Sequence, residues 1–115
     1  SLNLGHTVGH AVERHSGYTV SHGEAVAIGL ATMARAGAVL GWCEPIAAER
    51  IKTALKRRGL PLCYRCNPEE LLPYLWADKK RQGEELTVVL PHQIGYCSLR
   101  KMTKPQLLRL LREGL

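Results

Sequence analysis

From His22 to Leu40 the chain has no proline and is rich in alanine, with glycines at positions 29 and 37. Alanine is the strongest helix former, so this run predicts one long helix. A helix with so little side-chain bulk gains its stability by close packing against neighbours, and Gly41 is its natural stop. Glu24 falls in its first turn, where the helix dipole favours an acid. A mainly α-helical fold built around this element is the expectation.

The rest of the chain supplies the neighbours. A first helix covers about Gly5 to His15, and the loop Ser16 to Ser21 contains Gly17 as a helix stop. Pro45 opens a third helix, with Ile46, Ile51, Ala54 and Leu55 as its buried stripe; Gly59 and Pro61 close it. Asn67-Pro68-Glu69-Glu70 reads as an N-cap, a proline at the first helical position and acids in the first turn. That helix reaches about Trp76 or Lys79. Glu85 to Leu90 is β-prone, and Gln93 to Ser98 pairs back on it as a short hairpin. Thr103 caps a last helix with Leu107, Leu108, Leu110 and Leu111 on its apolar side.

At 115 residues, one domain with a modest core is expected. No apolar run approaches a membrane span, and no signal peptide is visible. The net charge is +6. Basic residues cluster at Lys52, Lys56, Arg57 and Arg58, and again at Lys79, Lys80 and Arg81. Nucleic acid must be weighed as a partner, yet phenylalanine is absent and no stacking platform is offered. The first cluster reads as a solvated helix end, the second as a holder of an anionic substrate. Cys63 and Cys66 form a CxxC, with no second CxxC or His pair to complete a zinc site. Together with Cys43 and Cys97 they read as reduced thiols of a cytoplasmic protein.

The chemistry concentrates in histidine, the commonest metal ligand and the side chain that titrates nearest neutrality. His6 and His10 are one turn apart on one helix face, and the loop can bring His22 back to that face. Gly5, Gly9 and Gly23 stand beside them and leave room for a ligand or another backbone. Thr7 follows the first histidine where zinc proteases have glutamate, so this is not their pattern. A structural role for these histidines and a metal or catalytic role both remain open on spacing alone.

The run Leu2 to Glu13 followed by His22-Gly23-Glu24-Ala25-Val26-Ala27-Ile28-Gly29 resembles the C-terminal domain of the 3-dehydroquinate synthases, within the sugar phosphate cyclases. Asp78-Lys79-Lys80, Val89-Leu90-Pro91 and Ile94-Gly95 follow in the family's order. The resemblance implies a helical domain with one short β-hairpin, spanning residues 1–115, without the NAD-binding N-terminal half. It implies an NAD-dependent cyclase that eliminates phosphate from 3-deoxy-arabino-heptulosonate 7-phosphate to give 3-dehydroquinate, as a homodimer when full-length, with the isolated domain inactive. It implies that His6 and His22 bind a divalent metal, usually zinc, with a third ligand from the other half. His10 would serve in proton transfer, Asn3 in substrate binding, and Lys79 or Lys80 in binding a substrate anion. Other sugar phosphate cyclases, of the valiolone or deoxy-inosose type, fit nearly the same motif. A non-enzymatic helical module binding metal or nucleic acid is the reading from a different class.

Overall fold

Five helices run through residues 4–82 and 102–115, the part of the chain that the computed structural model describes. They are α1 (Leu4–His15), α2 (His22–Leu40), α3 (Pro45–Arg57), α4 (Pro68–Gln82) and α5 (Lys104–Gly114). The mainly helical expectation therefore holds. The hairpin expected over residues 85–98 lies outside the described residues, as do Asn3 and Cys97.

The alanine-rich α2 is the hub. It packs against α1, α3 and α5, while α4 joins α1 to α5, so four helices close a ring around one core. Val8 and Val12 of α1, Ile28 of α2, Leu71 and Leu75 of α4, and Leu107, Leu110 and Leu111 of α5 meet there, none more than 2% exposed. Leu108, expected on the same side of α5, is only half-buried. By length and hydropathy α2 could cross a bilayer, contrary to the expectation that no run approaches a span. However, 56% of that stretch is buried inside the protein, as suits a core helix.

Glycine sets how closely α1 and α2 approach. A β-carbon on Gly9 would stand 2.8 Å from the Ala25 carbonyl oxygen, and one on Gly29 would overlap the Gly5 carbonyl. The two backbones touch, and no other residue type permits that.

The helix ends follow the sequence signals. Ser21 Oγ accepts the Glu24 amide while the Glu24 carboxylate accepts the Ser21 amide, a reciprocal capping box. Gly41 closes α2 in the left-handed conformation at φ 82°. Thr103 and Gln106 form a second box at the start of α5. Asn67 Oδ1 accepts the Glu69 amide at 3.1 Å, as its place before Pro68 leads one to expect.

Two expectations need correction. On α3, Ile46 is 60% exposed and Ala54 is also exposed, Ile51 and Leu55 are half-buried, and the buried positions are Ala47 and Ala48. They pack with Ala34 and Cys43 close against α2, and the half-buried Ile51 packs beside them, so the stripe keeps Ile51 but leaves Ile46 and Ala54 outside. Helix α4 runs on to Gln82, past the expected end at Trp76 or Lys79. Lys, Arg and Gln all favour helix, and no helix breaker stands between Trp76 and Gly83. Pro73 is accommodated inside α4 at the loss of one backbone hydrogen bond.

Candidate functional site

Helix α1 displays the candidate residues on the face opposite its core residues. At about 100° per residue, His6, His10 and Glu13 fall on one stripe, while Val8, Ala11 and Val12 are fully buried on the other side. His6 and His10 are both exposed. Burial of one face thus dictates display of the other.

The turn after α1 then brings His22 to the stripe. The Tyr18 amide and the Ser16 hydroxyl both donate to the Glu13 carbonyl, at 2.8 and 2.9 Å, and Thr19 Oγ1 donates to the Ser16 carbonyl. Gly17 and Tyr18 take positive φ, 65° and 64°, to reverse the chain. His22, the first residue of α2, is left with Nδ1 2.9 Å from Glu13 Oε1. The His22 side chain is 72% exposed and that of Glu13 only 12%. An ionised carboxylate only accepts hydrogen bonds, so Nδ1 is the donor in this contact, and in a neutral ring Nε2 then keeps the lone pair.

Glu24, next but one to His22, is committed elsewhere. Its Oε1 accepts from the Ser21 hydroxyl at 2.8 Å, and the two hydrogen bonds from Ser21, led by that hydroxyl, hold the carboxyl below its ordinary value. Among the described residues no three His, Cys, Asp or Glu side chains converge into a metal cage. The chemistry of the donors nevertheless fits a cation in part: exposed imidazoles on one face, one of them already carrying a carboxylate on its far nitrogen. Completing a catalytic site requires a further donor.

The Asp78-Lys79-Lys80 element lies near the same end of α1. Asp78, 4% exposed, stands 3.9 Å from Arg14, the residue after Glu13, and so ties this part of α4 to α1. Lys79 and Lys80 occupy the next two positions of α4. On the neighbouring face of α1, His15 Nδ1 lies 2.7 Å from the Tyr64 hydroxyl and its Nε2 3.3 Å from Glu70, and the Arg14 guanidinium sits over the Tyr74 ring. These contacts clamp α1 against α4.

Two partners escaped the sequence reading. Glu13 carries no role that the motif alone suggests, and Asp78 stands out in sequence only as the first residue of Asp78-Lys79-Lys80. The spacing of Glu13 from His6 and His10, two turns and one turn along one stripe, was the available signal; its bond to His22 depends on the turn geometry.

The basic residues divide as expected at α3, where Lys56 and Arg57 occupy its last turn and Lys52 pairs with Glu49 at 2.6 Å. That cluster is a helix terminus with its dipole satisfied.

The family model described as 3-dehydroquinate synthase C-terminal matches residues 1–81, which include α1, the turn, α2 and the Asp78-Lys79-Lys80 element. The chain belongs to the 3-dehydroquinate synthase C-terminal family.

Proposed function

We propose that this chain is the metal- and substrate-binding part of a 3-dehydroquinate synthase acting in the shikimate pathway in the cytoplasm. The reaction is conversion of 3-deoxy-arabino-heptulosonate 7-phosphate to 3-dehydroquinate and phosphate. The observation that carries the reading is the display of His6, His10 and His22 along one exposed edge of the α1–α2 hairpin, in a chain of this family.

His6 and His22 hold a divalent cation through neutral ring nitrogens, with a third ligand supplied from outside residues 1–115. Zinc suits such imidazole donors, and when bound it polarises the substrate's vicinal oxygens as a Lewis acid. His10, one turn from His6, exchanges a proton with the substrate on its phosphate side, work for which imidazole is suited because it titrates nearest neutrality. Lys79 or Lys80 neutralises a substrate carboxylate or phosphate, and Asn3 hydrogen-bonds the substrate. NAD is bound mainly outside residues 1–115. The hydride carrier belongs to a separate dinucleotide-binding half, and residues 1–115 alone are inactive.

Three variants of the full-length enzyme test the roles. His6→Ala and His22→Ala should lose bound metal and activity together, whereas His10→Ala should lose activity and keep its metal. Equal metal loss in all three would overturn the assignment of His10. Phosphate release from the sugar phosphate by residues 1–115 alone, given zinc and NAD, would overturn the division of labour between the halves.

A further inference from the structure

We propose that Glu13 is the positioning residue for His22. Its carboxylate takes the Nδ1 proton of His22 in a hydrogen bond, and thereby fixes the ring with Nε2 presented to the cation. This inference rests on the reading of His22 as a metal ligand.

Four observations support the proposal. The Nδ1 to Oε1 distance of 2.9 Å is a full hydrogen bond, made across the turn rather than within one helix. The exposure of the two partners is unequal: the carboxylate is largely enclosed and the imidazole largely open. An enclosed carboxylate is held in place and can orient a mobile ring, whereas the reverse arrangement could not. The backbone at the same position is anchored as well, since the Glu13 carbonyl accepts from both Tyr18 and Ser16. Finally, the nearby Glu24 carboxylate is engaged by Ser21, which leaves the orienting task to Glu13.

A ligating histidine whose second nitrogen donates to a carboxylate is fixed in tautomer and orientation, and its basicity toward the metal rises. The two ring nitrogens lie on opposite edges of imidazole. While Glu13 holds Nδ1 it cannot reach a cation on Nε2, so it orients the ligand and is not a ligand itself. Nor does Glu13 touch substrate in this role.

Histidine-selective 15N spectra of the full chain, freed of metal, read the tautomer directly. His22 should carry its proton on Nδ1, and Glu13→Ala should move it to Nε2, the form free imidazole prefers. An Nε2–H form of His22 in the unmodified protein would overturn the proposal. Zinc affinity, measured by chelator competition, supplies the second readout. Glu13→Ala should weaken it about 10- to 100-fold. Glu13→Gln, which keeps an acceptor oxygen without the charge and the same side-chain volume, should fall between. In a His22→Ala background Glu13→Ala should add nothing, a result that simple loss of fold would not give. Unchanged affinity in Glu13→Ala alongside lost affinity in His22→Ala would reject the positioning role and leave the metal site standing. Unchanged affinity in His22→Ala would reject the metal site, and this proposal with it.

Discussion

Gly29 of α2 lies so close to the Gly5 carbonyl of α1 that a β-carbon at position 29 would overlap that oxygen. This contact sets the level of α1 against α2, and with it the level of His6 and His10 against His22. The obstructing atom is backbone and cannot swing aside. Gly29→Ala should therefore destabilise the fold by about 1–3 kcal/mol, the usual cost of overpacking. It should also weaken metal binding by shifting α1. Gly23→Ala is the control: a β-carbon there meets nothing within 4 Å, and no positive φ is recorded at that position. It should leave stability unchanged or slightly raised. Thermal melts of the two variants, falling together or not at all, would contradict this account of the crossing.

The helices were legible because their ends are chemically marked. Ser21, Gly41, Asn67, Thr103 and the prolines at 45 and 68 act locally, through caps and φ restrictions that need no tertiary partner. The buried stripe of α3 was misread because isoleucine is the obvious core residue. Its neighbour surface on α2 is alanine, against which Ala47 and Ala48 are buried, Ile51 is half-buried and Ile46 is left exposed. The histidines were legible as a motif, since helical periodicity places His6 and His10 together. Glu13 was not legible as a partner of His22. Nine residues separate them, and the bond exists only because Gly17 and Tyr18 adopt positive φ in the turn. Nothing in the sequence reports that long-range angle.

The α2 capping box predicts a clean stability effect. Ser21→Ala deletes the hydroxyl that accepts the Glu24 amide and donates to its carboxylate. The cost should be about 1 kcal/mol, typical of a lost N-cap. Because His22 is the next residue, fraying of this turn should also loosen the contact to Glu13. Urea unfolding gives the stability; a midpoint equal to that of the unmodified protein would mean the box contributes nothing.

Cys66 should react more slowly than the exposed Cys63. Burial, reinforced by the Glu70 carboxylate, pushes it up to about 11. Only thiolate is nucleophilic, so alkylation near pH 8 should modify the exposed Cys63 first and spare Cys66. Burial favours the neutral thiol in the folded state. Its contribution to stability is therefore complete below the unfolded thiol value, about 8.5, and is lost as pH rises toward the folded value. Mass-mapped alkylation across pH 7 to pH 11 checks both statements. Faster labelling at Cys66 than at Cys63 at pH 8 would refute them.

Arg35 joins three segments from one side chain. Its Nε donates to the Gly114 carbonyl at 2.6 Å and its Nη2 to the Leu62 carbonyl at 2.6 Å, so α2 is fastened both to the end of α5 and to the loop before α4. Two carbonyls are satisfied by the planar fork of one guanidinium, a geometry that a single ammonium cannot copy. Arg35→Lys should keep the charge yet lose one of the two bonds. A charge-assisted hydrogen bond with a buried acceptor is worth about 1.5–3 kcal/mol, and the loss should appear as an earlier urea midpoint. The local signature is more decisive. Gly114 is buried, and a β-carbon there would overlap the Thr32 carbonyl, so the end of α5 depends on this corner remaining closed. Amide hydrogen exchange at Leu111 to Leu115 should accelerate in Arg35→Lys, while α3, to which neither of these hydrogen bonds runs, keeps its protection relative to the global stability. Uniform acceleration across all helices would show that Arg35 acts on global stability without any special hold on the chain's final helix.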